Sequence, residues 1–351
     1  MREGKCLCGM GVAAALGFLL VLGACAPTWA ADGEPAGAQA MREAEKSLMA
    51  SLEPLPEKGT GARLGAIEST LSNPFWITME EGYRDAAREY GAAIDVQATA
   101  TETDLAGQLD IMKQMIGKKY DAVSVSPLTE QNLLLGVVEA NESGVKVVTV
   151  GNGVNREALA KLGGHVDIHV TTDFRMQGEL GAQYIIGRTG GKGKVAVIEG
   201  IPGATQSEAR KNGAVEAFKK AGMDLIAVQA ANFDRRQAYD LTAALADANP
   251  DLAGISCGND IMALGAVEAL KKKGMKDRVV VVGVDFIEEA KASIERGELD
   301  ATVAMSPYLL GKAGTILSLK ALRGDTFGED VVWTPIKLVD RENVASMEGW
   351  R

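Results

Sequence analysis

RLGAIESTLSNPFWITMEEGYRDAAREYGAAIDVQAT, residues 63 to 99, holds the pattern that decides the fold. RLGAIES is a short apolar run of buried-strand type. FWITMEEGYRDAAREY spaces its apolar residues as a helix does, and AIDVQAT returns to strand-like composition. Between the first strand and the helix, Asn73-Pro74 breaks the run, and two rings, Phe75 and Trp76, follow at once. Only 5% of the chain is aromatic, so two adjacent rings there either plug a core or make a flat apolar wall for a ligand.

The rhythm continues through LAGQLDIMKQMIG, YDAVSVS, TEQNLLLGVVEANES and VKVVTVG. A second series begins near HVDIHVTT and runs through KVAVIEG, LIAVQAA, LAGISCG and VVVVGVD. Continuous apolar strands alternating with helices mean parallel sheets covered on both faces. Two such series in 351 residues predict an α/β protein of two Rossmann-like, doubly wound lobes, each long enough for its own core.

Residues 1–30 have the order of an export signal. Arg2 and Lys5 precede CLCGMGVAAALGFLLVLGA, an uncharged run that also approaches the length of a membrane helix. Two cleavage sites compete. Thr28-Trp29-Ala30 fits a small-x-small site, whereas Leu22-Gly23-Ala24-Cys25 resembles a lipobox in which Cys25 carries lipid. Residues 31–62 read as a short helix, MREAEKSLMASL, followed by the linker EPLPEKGTG. The expected location is the periplasm, soluble or anchored through Cys25.

Several chemistries fail. A net charge of −10 argues against a nucleic-acid partner, which needs a basic footprint. Cys257 is the one cysteine certain to follow the leader, and its apolar setting reads as a buried thiol, with no disulfide framework. His165 and His169 are four apart on an alternating, strand-like stretch, a span of roughly 13 Å that is too long for one metal ion. There is no Walker loop and no G-x-S-x-G elbow. No enzyme activity, metal or cofactor is expected.

Binding is what remains. In open α/β sheets ligands lie beyond the carboxyl ends of the strands. The segments there include STLSNPFW, VGNGVN, EGIPGATQSEAR, ANFDRR, CGNDIM and VGVDFI. A single Asn or Asp in such a loop is as readily a helix cap as a ligand group. Together, Phe75, Trp76 and Phe233 offer aromatic faces for the C–H side of a sugar ring, while Asn73, Asn259, Asp285 and Arg210 offer planar partners for hydroxyls.

STLSNPFW, VTTD, EARKNGAVEAF, ANFDRR, CGNDIMALGAVEAL, VGVDFI and ELDATVAMSP resemble stretches of the periplasmic ribose- and allose-binding proteins, and TLSNPFW with GGHVDIHVTTD is more like the allose binders. The resemblance runs from about Arg63 to Val339. It implies a type I periplasmic binding protein: two lobes on a three-segment hinge, 63–171 plus 307–335 and 172–306 plus 336–345, closing on a sugar for an ABC importer. It also implies an inner-membrane permease as partner and a monomer. Carried over by position, Ser69, Asn73, Phe75 and Trp76 are first-lobe ligand residues, and Arg210, Phe233, Asn259 and Asp285 second-lobe ones.

Two positions depart from that pattern. Gly151 stands where the relatives carry Asp, and Met305 where they carry a hinge Gln. Asn152 is then expected to replace part of the missing acceptor and Met305 to make the hinge side apolar, which points to another sugar, a polyol or a deoxy compound. Two rivals share the fold. A LacI-type repressor needs a basic helix-turn-helix of about 50–60 residues where this chain has a leader and an acidic linker. A sensor protein would present its closed form to a chemoreceptor or histidine kinase.

Overall fold

The computed structural model describes residues 38 to 351; the leader, its two competing cleavage sites and Cys25 lie outside them. Among the described residues twelve strands and eleven α-helices alternate. The first eight elements after the N-terminal helix α1 (Ala38–Ser51) are β1 (Arg63–Thr70), α2 (Pro74–Tyr90), β2 (Ala93–Thr99), α3 (Leu105–Gly117), β3 (Ala122–Val125), α4 (Leu134–Glu142), β4 (Lys146–Val150) and α5 (Arg156–Lys161). Then come β5 (Ile168–Thr171), α6 (Phe174–Thr189), β6 (Lys194–Glu199), α7 (Thr205–Lys220), β7 (Asp224–Ala230), α8 (Arg235–Ala248), β8 (Leu252–Cys257) and α9 (Asp260–Lys272). The chain ends with β9 (Val280–Asp285), α10 (Glu288–Glu295), β10 (Ala301–Ala304), α11 (Pro307–Arg323), β11 (Val331–Trp333) and β12 (Lys337–Asp340).

Two six-stranded sheets result, ordered β11-β5-β4-β3-β1-β2 and β12-β10-β9-β8-β6-β7. Every strand pair of the first is parallel. In the second only β12 runs antiparallel to its neighbour, β10. This is the two-lobed α/β architecture that the alternating pattern implies. The stretch HVDIHVTT belongs to the first sheet, because β5 pairs with β4. His165 precedes the strand and is exposed, while His169 within it is half-buried and bonds through Nδ1 to Thr149 Oγ1 at 2.8 Å. The chain passes between the sheets after β5, after β10 and between β11 and β12.

Local chemistry fixes the element ends. Helix α2 starts on an Asn73 cap with Pro74 behind it and stops at Gly91, whose φ of 70° is costly for any side chain. Helix α11 follows the same scheme, with Ser306, Pro307 and Gly324. These two helices pack together on the first sheet at reciprocal glycines: a Cβ on Gly82 would lie 2.0 Å from the Tyr308 carbonyl oxygen, and one on Gly311 2.1 Å from that of Met79. The cores are apolar strand faces against such helices, as in Ile67, Val123 and Val147 beneath Met112 and Met115.

Helix α1 is part of the body and no loose preface. Met41, Ala44, Leu48 and Leu52 are buried with Leu309 and Ile316 in the first core, while Ala40 packs against the core of the second sheet. There it meets a short 3-10 turn, Val344–Met347, whose Val344 and Met347 are buried in that second core. The sequence pattern read a helix over MREAEKSLMASL, where α1 spans Ala38–Ser51, and carried no sign of what covers it.

Candidate functional site

A cleft enclosing about 430 Å³ of space, part of it open to solvent, lies between the two sheets. Its lining comes from the segment after nearly every strand: Asn73 after β1, Glu102 after β2, Gly151 and Asn152 after β4, Phe174 after β5, and Gln206 after β6. Phe233, Asn259, Asp285 and Met305 occupy the ends of β7, β8, β9 and β10, and Arg210 reaches in from α7. Strand direction alone gathers these groups, since parallel strands all deliver their carboxyl ends to one side.

The aromatic walls are built differently in the two lobes. Phe75 and Trp76 leave the first turn of α2 with ring centroids 5.0 Å apart and planes at 85°, an edge-to-face pair. Both are nearly buried, and Trp76 donates its indole N–H to Glu102 Oε1 at 3.1 Å. Phe233 sits in the left-handed region, φ 58°, just after Asn232 at 54°. Its ring lies across Gly200, where a Cβ would come within 2.1 Å of ring carbons. Gly200 therefore admits the ring.

The asparagines reconcile the cap and ligand readings. Asn73 Oδ1 accepts from Phe75 N and Asn259 Oδ1 accepts from Met262 N, each at 3.0 Å. Capping consumes the oxygens and leaves both NH2 groups for the cavity. Asn152 donates to the Pro127 carbonyl at 3.1 Å, which leaves its buried Oδ1 without a partner. Gln206 Oε1 is likewise buried and unpartnered.

Arg210 is almost fully buried, and each of its three nitrogens makes a hydrogen bond. Nε bonds Gln177 Oε1 and Nη1 bonds the Gly258 carbonyl, both at 2.8 Å, while Nη2 meets Asp285 Oδ1 at 3.3 Å and Met305 Sδ at 3.4 Å. A Cβ on Gly178 would lie 1.8 Å from the Arg210 carbonyl oxygen, so α6 and α7 approach there and seat the arginine. Burial pushes the Asp285 carboxyl above the usual carboxylate range, with Arg210 pulling the other way. Burial also raises Glu102, opposed by its Trp76 bond and by Arg210. Asp260, fully buried behind the site, accepts from Thr302 Oγ1 at 2.6 Å and from Ile287 N at 3.0 Å, which ties α9 to the strand ends.

Nine of the ten sequence candidates line the cavity: Asn73, Phe75, Trp76, Asn152, Arg210, Phe233, Asn259, Asp285 and Met305. Ser69 does not. It is buried one strand residue back, where its carbonyl accepts from Thr99 Oγ1. Sequence reasoning missed Met79, Glu102, Phe174, Gln206 and Leu310. Glu102 was within reach, because the strand-end rule applied to β2 leads directly to TATETD. Met79 and Leu310 belong to helices α2 and α11, whose crossing no local pattern reveals. Among the described residues no group of three or more His, Cys, Asp or Glu is placed to hold a metal ion, and no helix is long and apolar enough to cross a membrane.

Comparison with known proteins agrees with this geometry. The family model described as periplasmic binding protein domain matches residues 65–326. The D-allose-binding periplasmic protein of Escherichia coli (strain K12) is 38% identical over 74% of this chain and 84% of its own. The ribose import binding protein of Bacillus subtilis (strain 168) is 31% identical over 78% of this chain and 86% of its own. A solved ABC transporter periplasmic solute-binding protein from Actinobacillus succinogenes 130z, with bound D-allose, superposes with a TM-score of 0.77 at 28% identity, covering 81% of this chain and 99% of that one. With its two parallel-sheet lobes, strand-end cavity and family match over most of its length, this chain belongs to the periplasmic binding protein domain family.

Proposed function

We propose that the protein is the solute-binding component of an ABC importer and takes a sugar or sugar-like polyol into the cavity between its lobes. The observation that carries this reading is the composition of that cavity: aromatic faces from both lobes, with amide, carboxylate and guanidinium groups turned toward the same space. Apolar C–H faces stack on Trp76 and Phe233, and Asn73, Asn259, Asp285 and Asn152 meet hydroxyls. The relatives named for D-allose and ribose, and the solved relative holding D-allose, support the ligand class.

The lobes, 63–171 plus 307–335 and 172–306 plus 336–345, close about the three crossings, because a ligand that touches both favours the closed state. An inner-membrane permease reads that state, and the protein works in the periplasm as a monomer after export on its leader. It leaves its ligand chemically unchanged. Isothermal titration of residues 31–351 against pentoses, hexoses and polyols, with mass analysis of the recovered ligand, tests all of this. Saturable binding of an unaltered sugar is expected, and a turned-over sugar or no binding across the set overturns it.

A further inference from the structure

The ionisable groups lining the cavity are two carboxyls, Glu102 and Asp285, and one guanidinium. Arg210 is the one cationic group on its wall among the described residues, and its nitrogens are taken up by Gln177, Gly258, Asp285 and Met305. Asp285 is its ion-pair partner. Glu102 is left over. Its Oε1 accepts from the neutral indole of Trp76, its other oxygen makes no hydrogen bond, and it has no ion pair among the described residues. Burial raises both carboxyls in the empty cavity, and a cation placed against Glu102 favours its ionised form.

Two open acceptors lean toward a donor-rich ligand, while the free NH2 groups of Asn73 and Asn259 are left for its hydroxyl oxygens. Asn152 Oδ1 and Gln206 Oε1 are buried acceptors without partners, and each side chain is at least nine-tenths buried. Together with the second Glu102 oxygen they ask for donors. A neutral hydroxyl supplies one donor, whereas an ammonium supplies three and pairs with an ionised carboxylate. The rings of Phe75, Trp76, Phe174 and Phe233 border the same space and favour a cation over their faces. The net charge of −10 draws cations toward the protein.

Resting on the sugar-site reading above, we propose that the ligand is an amino sugar or aminated polyol whose ammonium sits against the Glu102 carboxylate. Gly151 leaves room in the same cavity, since a Cβ there would have nothing within 4 Å.

The test is isothermal titration at neutral pH of residues 31–351 with matched pairs: 2-amino-2-deoxy-D-allose and D-allose, D-glucosamine and D-glucose, D-galactosamine and D-galactose, 1-amino-1-deoxy-D-glucitol and D-glucitol. At least one amine is expected to bind tenfold or more tighter than its hydroxyl partner. Its N-acetyl derivative, where it is a sugar, loses that advantage, and Glu102→Gln closes the gap while still accepting from the Trp76 indole. If neutral members bind as tightly as the amines, or the gap survives Glu102→Gln, the amine inference falls and the sugar site stands. Failure of both members of every pair to bind overturns the two together.

Discussion

Glu68 stands out among single residues. It lies in β1, wholly buried, with neither carboxylate oxygen hydrogen-bonded, near the Tyr83 side chain. Burial, then the charge of Glu80, lifts its pKa from 4.5 to about 9. The folded state therefore holds a proton that the unfolded chain releases, and this contribution to stability is full below pH 4.5 and lost as pH rises toward 9. Between pH 5.5 and pH 8 the loss is on the order of 3 kcal/mol. Denaturant unfolding at those two pH values is expected to show Glu68→Gln gaining on wild type by about that amount at the higher pH; an unchanged difference would rule this out. At the site, Phe233→Ala removes one aromatic wall and is expected to weaken sugar binding by about tenfold or more, since such ring contacts contribute ~0.5–1.5 kcal/mol beyond area burial. Titration of the variant measures it.

At the scale of elements, the reciprocal glycine contacts set how close the helices come. Gly178→Ala would force α6 away from the Arg210 carbonyl, and overpacking of this kind costs about 1–3 kcal/mol. The expected outcome is a lower unfolding midpoint together with weaker ligand binding, because α7 carries Arg210 into the cavity; calorimetry and titration read the two effects separately. Much at this scale was legible in the sequence. AIDVQAT and LAGQLDIMKQMIG coincide with β2 and α3 to the residue, because apolar spacing and a capping Asp104 mark them locally. The helix read from TEQNLLLGVVEANES is shorter, Leu134–Glu142, since Thr129 and Asn132 spend their side chains closing a turn ahead of it. Strand ends led to most of the site, whereas Met79 and Leu310 depend on how α2 and α11 cross, and that is decided by packing between distant segments.

Across the whole molecule, helix α1 and the C-terminal tail meet beside the hinge. The indole N–H of Trp350 donates to the Met305 carbonyl at 3.0 Å, and Met305 lines the cavity. Trp350 packs against both lobe cores, while Arg351 lies over the Tyr308 ring at 4.0 Å and pairs with Glu81 at 3.3 Å. Trp350→Ala is expected to lower stability by about 2 kcal/mol, less than for a fully buried ring, and to change affinity through Met305. No periodicity in GWR announces this role; it arises only when the tail folds back onto α1 and α11.

The central claim is that a sugar-like ligand lies between the lobes against Trp76, and tryptophan fluorescence tests it most directly. Titrating residues 31–351 with sugars, amino sugars and polyols should give a saturable change in emission for at least one compound, and Trp76→Phe should abolish it while Trp333 and Trp350 remain. A change that persists undiminished in Trp76→Phe, or no change with any compound, would contradict the account.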